Sequence, residues 1–260
     1  MEQTKSNLGI PKTIHYCWFG RNPLPEMAIK CIESWRKFFP DYEIIEWNED
    51  NFDVNIIPYT QEAYSAKKFA FVSDYARFWI LYKYGGLYFD TDVEVIKSMD
   101  DIISRGSFMG VEVFIPDKTL LVAPGLGLGA YPGLEIYREM MNYYNSLHFL
   151  HADGSFNQVT IVKYTSDVLK DNGLKCMNVL QLVAGVWIYP QDYFNPLDDN
   201  TGRLRITENT RSIHWYTKTW LKKRSTFVTW LLRMIHRCFG NNSLNWIKKI
   251  FVSNDSRIVI

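Results

Sequence analysis

Residues 67–92 constrain this chain more than any other stretch. From 67 to 84 the sequence is long and apolar-periodic, with Phe71, Val72, Phe78, Trp79, Ile80 and Leu81 crowded around Asp74 and Arg77. Such a pattern predicts a helix that is mostly buried. Gly85 and Gly86 end it, and Leu87-Tyr88-Phe89 is read as a short strand opening into Asp90-Thr91-Asp92. Asp74 and Arg77 stand at i and i+3 and share a helix face. On an exposed helix that pair would be a weak surface ion pair. Among these apolar neighbours it is a buried charge pair, which costs desolvation and needs a reason.

The surroundings predict an α/β chain. Residues 13–19 are β-branched and aromatic, lie between Pro11 and Gly20, and read as a first buried strand. Residues 25–38 have helical spacing, with Ile29, Ile32 and Trp35 on one stripe, stopped by Pro40. A second strand covers 42–47. Further on, 107–114 and 120–123 read as strands, 125–129 as a glycine-rich turn, and 134–144 and 157–169 as helices. Short strands at 186–189 and 212–216 follow. Strands alternating with helices indicate an α/β sandwich on a mainly parallel sheet. With 260 residues and 47% apolar composition the chain can bury a sizeable core, so disorder and fibrous structure are excluded.

Charge divides the chain unevenly. The net charge is +1, yet residues 209–254 hold nine cations and no acid, which leaves −8 on residues 1–208. The expected organisation is one catalytic-type domain over 1–216 and a basic, amphipathic, helical extension over 217–260. Eight of those cations, Lys218, Lys222, Lys223, Arg224, Arg233, Arg237, Lys248 and Lys249, are interleaved with Trp220, Phe227, Trp230, Ile235 and Trp246. Basic segments of this kind point to a membrane surface. Nucleic acid is disfavoured because no recognition motif accompanies the charge. The plain alternative is a helical cap packed on the domain. Four separated cysteines (Cys17, Cys31, Cys176 and Cys238) form no metal or disulfide pattern. The polar start and the lack of a long apolar run lead to the expectation of a cytoplasmic protein, peripheral on the inner face of the cell membrane.

The sharpest candidate for chemistry is Asp90-Thr91-Asp92. If the chain turns there, both carboxylates can approach one hard cation. Mg²⁺ or Mn²⁺ is often held by one or two carboxylates plus substrate phosphates, and ligands of open α/β sheets bind at the carboxyl ends of strands. The alternative is a polar turn without a ligand. His15, lone among apolar residues, is read as a satisfied core histidine.

Four separated motifs resemble a known family. Ser73-Asp74-x-x-Arg77, followed by Tyr84-Gly85-Gly86-x-Tyr88-x-Asp90-x-Asp92, is similar to the signature of the DXD-containing sugar transferases of glycosyltransferase family 32. That group resembles the glucosylating domain of large clostridial toxins. Ile10-Pro11-Lys12-x-Ile14-His15-Tyr16-x-Trp18-x-Gly20, Pro190-x-x-Tyr193-Phe194-x-Pro196 and Ser212-x-His214-x-x-x-x-x-Trp220 match its other landmarks. The resemblance implies a GT-A nucleotide-sugar transferase fold, Rossmann-like, and transfer with retention from a nucleotide-sugar, a UDP-sugar by preference. It implies a glycan or lipid-linked saccharide as acceptor, in the synthesis of surface polysaccharide such as capsule. Residue by residue, it implies that Trp18 stacks on the base, Asp74 binds ribose or sugar hydroxyls, and Arg77 lies near the sugar or phosphate. Asp90 reaches ribose, sugar and metal, Asp92 is the direct ligand of Mn²⁺ or Mg²⁺, His214 adds a metal or diphosphate contact, and Trp220 folds over the leaving diphosphate. In one place the chain departs from the family: Gly154-Ser155-Phe156-Asn157 stands where many members carry Gly-Pro. The competing function is a non-catalytic nucleotide-sugar-binding module docked at membranes through its tail.

Overall fold

The computed structural model describes residues 9–217 and 226–239. In chain order, β1 (Thr13–Cys17), α1 (Glu26–Phe38) and β2 (Glu43–Trp47) come first, then α2 (Pro58–Ser65), α3 (Phe69–Tyr84), β3 (Gly86–Tyr88) and β4 (Val93–Val95). The middle holds α4 (Asp100–Ile103), the hairpin of β5 (Phe108–Ile115) and β6 (Thr119–Ala123), and β7 (Leu128–Ala130). After α5 (Glu135–Asn145) and α6 (Ile161–Asp171) come β8 (Gln181–Val183), β9 (Val186–Tyr189) and α7 (Gln191–Phe194). The last elements are β10 (Leu197–Asp198), β11 (Arg203–Leu204), β12 (Ser212–His214) and α8 (Thr226–Phe239).

One mixed sheet orders its strands β2-β1-β3-β7-β5-β9-β8, with β6 on β5. β1 pairs in parallel with both β2 and β3, and β5 with β9. β7 lies antiparallel between β3 and β5. Strands β1, β2, β3, β5 and β9 therefore run one way, so the architecture is α/β with a largely parallel sheet, as expected. β7 and β8 are departures from the sequence reading. The glycine-rich run 125–129, expected as a turn, enters β7, because glycines leave room for β3 and β5 on either side.

The described residues form two compact units, 9–196 with 206–215, and 197–205 with 216, 217 and 226–239. The β10–β11 segment belongs to the second unit. There, α8 is tied to that hairpin: Arg237 Nε donates to Thr201 O at 2.7 Å, and Arg233 lies 3.6 Å from Asp199. No helix among the described residues is long and apolar enough to cross a membrane.

Two cores cover the two faces of the sheet, and side-chain alternation sorts residues between them. Ile14, Tyr16, Leu87 and Phe89 join Ile32 and Trp35 of α1. Cys17 and Tyr88 join Val72, Tyr75 and Ala76 of α3. The parity matters, since Asp90 follows Tyr88 by two and is delivered to the α3 side. The α3–β3 junction needs glycine twice. Gly85 and Gly86 have φ of +66° and +98°, and a Cβ on Gly86 would lie 2.7 Å from Thr13 O.

His15 is the satisfied core histidine that the sequence suggests. It is 2% exposed. Its Nδ1 accepts from Trp47 Nε1 at 3.0 Å and its Nε2 donates to Gly85 O at 3.0 Å. The ring thereby joins β1, β2 and the end of α3. Burial, opposed by the Gly85 bond, brings its pKa down to about 4. The unfolded chain takes up this proton near pH 6.5, so the contribution of His15 to stability is complete above 6.5 and is lost as pH falls toward 4. That loss amounts to about 3 kcal/mol at the acid limit. In urea unfolding, the stability difference between wild type and His15→Gln should shrink as pH is lowered from 6.5 to 4.

Candidate active site

Arg77 is the centre of the site. It projects from the middle of α3 toward the carboxyl end of β3 and is 4% exposed. Its Nη2 meets Asp74 Oδ1 at 3.1 Å, and its Nη1 lies 3.2 and 3.3 Å from the two oxygens of Asp90. Nε donates to Ser73 O at 3.1 Å. The guanidinium carbon sits 4.9 Å from the centroid of the Tyr88 ring, and Tyr88 Oη donates to Asp90 Oδ1 at 3.2 Å. A buried ion is tolerated only with partners of this quality. Burial pushes the Asp74 carboxyl up to about 7; Arg77 opposes that shift and Asp90 adds to it.

Gly125 completes the mount of Asp90. Asp90 N donates to Gly125 O at 3.1 Å, and a Cβ on Gly125 would lie 1.9 Å from Asp90 Oδ2. Backbone alone can approach the carboxylate so closely.

The two aspartates of the motif part company. Val93 N donates to Asp90 O at 3.0 Å, closing a four-residue turn that lifts Asp92 away from α3. Asp92 meets another strand. β12 pairs antiparallel with β4 and sets His214 opposite Val93, and His214 Nε2 lies 3.1 Å from Asp92 Oδ1. Trp215 N donates to Asp92 O at 3.0 Å, and its indole to Glu94 Oε2 at 2.8 Å. β4 is in turn held by α1: Trp35 Nε1 donates to Val93 O at 2.8 Å, and Val95 N donates to Ser34 Oγ at 2.9 Å. Burial alone would lower the His214 pKa, but the bond to Asp92 and the charges of Asp92, Asp90 and Glu112 carry it above its ordinary value.

Trp18 lies one residue beyond β1, half-buried against the α1 core. Its indole nitrogen donates to Asn22 O at 2.6 Å and its backbone nitrogen to Trp47 O at 2.8 Å. Neither bond uses the ring face. Trp220 lies outside the described residues. The structure thus groups Asp74, Arg77 and Asp90 in one cluster and Asp92 with His214 in another. Tyr88, Gly125 and Trp215 hold these clusters and were given no role by the sequence reading. Gly125 left a trace in the glycine-rich run, but nothing in the sequence says that it faces Asp90.

Among the described residues no three His, Cys, Asp or Glu side chains converge as a metal cage. Asp92 and His214 supply two donors on one side, and Asp90 is turned to Arg77. That set fits a divalent ion completed by substrate oxygens, and does not fit an all-protein site.

Residues 25–109 match the family described as the glycosyltransferase sugar-binding region containing DXD motif. The match includes Asp74, Arg77, Asp90 and Asp92, and over that segment it bears out the resemblance drawn from the motifs. Inositol phosphoceramide mannosyltransferase 1 of Schizosaccharomyces pombe is 32% identical over 111 residues, covering 38% of this chain and 33% of that protein. Inositol phosphoceramide mannosyltransferase 3 of the same yeast is 31% identical over 104 residues, covering 38% and 29%. The chain thus spans about a third of the length of the curated relatives it matches. Among solved structures, the PaToxG glycosyltransferase aligns with a TM-score of 0.46 and 16% identity over 63% of this chain and 70% of that one. A glycosyltransferase involved in glycosylation of the major capsid of PBCV-1 aligns at 0.44 and 11% over 80% and 95%.

The Arg77 cluster makes a specific energetic prediction. Arg77→Met leaves Asp74 and Asp90 without their counter-charge and should cost about 3–5 kcal/mol. Asp74→Asn combined with Arg77→Met should cost less than the sum of the two single changes, because the stranded buried carboxyl is gone. Urea unfolding of the four proteins at pH 8 checks this.

Proposed function

We propose that this protein, whose residues 25–109 carry the DXD sugar-binding region of glycosyltransferases, moves a sugar from a nucleotide-sugar to a glycan or lipid-linked saccharide. The observation that carries the reading is the pairing of Asp92 with His214 beside the Asp90–Arg77–Asp74 cluster, at the carboxyl ends of β1 and β3. Ligands of open α/β sheets bind at such strand ends.

In the transfer, the bond between the anomeric carbon and the diphosphate oxygen breaks and its electron pair leaves with the diphosphate. The acceptor hydroxyl bonds to that carbon and gives up its proton. Asp92 and His214 would hold Mn²⁺ or Mg²⁺ together with diphosphate oxygens. Such an ion, when bound, supplies neutralisation of the leaving diphosphate. The chain's own residues do the positioning. Asp90, held by Arg77, Tyr88 and Gly125, presents a fixed carboxylate to ribose or sugar hydroxyls. Asp74 stands behind it on Arg77. Trp18 offers a ring face to the base, a contact worth about 1–3 kcal/mol on nucleic-acid analogies. The GT-A fold and retention of configuration by front-side attack rest on the family resemblance. A UDP-sugar follows from the same source, whereas the relatives' names favour a mannosyl donor. Thermal shift against a panel of nucleotide-sugars with Mn²⁺ separates the two, since a bound ligand stabilises the fold. The basic tail is assigned to an anionic membrane surface. In α8, Trp230 is 56% exposed and Met234 37%, one turn apart.

Asp92→Asn should lower Mn²⁺-dependent nucleotide release by about 100-fold or more, with circular dichroism unchanged, because asparagine keeps the size of the side chain and an oxygen to accept hydrogen bonds. His214 must shed its proton to coordinate, so apparent Mn²⁺ affinity should rise with pH through its elevated pKa. His214→Ala should flatten that dependence. Absence of any donor hydrolysis by the wild type would favour the binding module instead.

Trp18→Ala should weaken the donor and the free nucleoside diphosphate by a similar factor, measured by calorimetry, because both share the base. Equal binding by mutant and wild type would leave Trp18 a core residue.

A further inference from the structure

A lysine-lined pocket opens on the same edge of the sheet as Asp90, toward its far side. β5 runs with β1 and β3 and ends on that edge at Ile115. β8 runs against β9 and therefore begins there, at Gln181. The turn between β5 and β6, the last turn of α6 and residues 174–176 enclose a cavity of about 220 Å³. Lys118, Lys170 and Lys175 line it, with no acidic residue. Asp167 stands 3.7 Å from Lys170, while Lys118 and Lys175 have no ion-pair partner among the described residues. Asp117 and Asp171 adjoin these lysines in sequence but do not line the cavity. Three ammonium groups around one shallow cavity repel each other, and an anion within it offsets that repulsion.

Directly after the pocket the chain turns apolar on its outside. Met177 is 44% exposed, Val179 50%, Leu180 36% and Leu182 58%. Four large apolar side chains are thus exposed within six residues, on the edge strand and the loop that leads into it from Cys176 of the pocket. Exposed patches of that kind mark an interaction site.

We propose that this edge docks on an anionic lipid surface, with the three lysines taking headgroup phosphates and the 177–182 side chains entering the acyl boundary. Cations set beside exposed aliphatic groups fit that interface. β8 is four strands from β3, about 19 Å at the usual strand spacing. A lipid-carried acceptor held on the same surface would thus be within reach of the Asp90 edge, and this clause rests on the transferase reading.

Cys176 provides the probe. It is exposed and lines the pocket, whereas Cys17 and Cys31 are buried. Alkylation of Cys176 by N-ethylmaleimide, followed by peptide mass spectrometry on the full chain, reports this edge independently of the tail. Vesicles of phosphatidylglycerol with phosphatidylcholine should slow it about fivefold or more. Pure phosphatidylcholine vesicles, and inorganic phosphate at equal phosphate concentration, should not. Lys118→Glu with Lys175→Glu, and separately Val179→Ser with Leu182→Ser, should restore the rate. Asp92→Asn should keep the protection while losing nucleotide release, so this proposal and the transferase reading fail separately. An unchanged Cys176 rate on protein that co-sediments with anionic vesicles overturns the proposal. So does equal protection by free phosphate or by RNA, or protection that survives the lysine reversals.

Discussion

The buried guanidinium of Arg77 is the interaction on which the rest of this site depends. One cation is shared between Asp74 on its own helix and Asp90 at the end of the neighbouring strand, with the Tyr88 ring against its face. Taken out of water, none of these charges is stable alone. Together they lock α3 to the end of β3. The apolar length of α3 serves the same end, because it keeps the guanidinium in a medium where its pull on Asp90 is strong.

The second half of the site is built by a different route. Asp92 is not fixed by α3 at all. It rides on the turn before β4, which is held from one side by α1 through Trp35 and Ser34 and from the other by β12. β12 comes more than a hundred residues later in the chain, and it brings His214. Two rigid supports thus set two carboxylates at different jobs, Asp90 toward Arg77 and Asp92 toward His214. A divalent ion and a diphosphate between them would find preorganised donors, which is where catalytic electrostatics gains most.

The opposite end of the same sheet edge has another character. Lysines and exposed aliphatic side chains replace carboxylates and aromatic rings there.

By itself the sequence determined the elements with strong local signals. The period of 67–84 marks a buried helix, Gly85-Gly86 its end, and the spacing of Asp74, Arg77, Asp90 and Asp92 a candidate site, because helix period, glycine geometry and motif spacing are all local properties. It also marked His15 as core, since a single polar residue between apolar neighbours in a strand must find partners inside. Tertiary structure alone decided the rest. β7 and β8 are three residues each, too short for a period to show. Gly125 faces Asp90 only because a distant segment pairs beside β3. The parting of Asp90 from Asp92 follows from a turn and from β12, whose register against β4 depends on chain closure over more than a hundred residues. Such contacts carry no local pattern. They arise when side chains far apart in sequence compete for the same few ångströms of space.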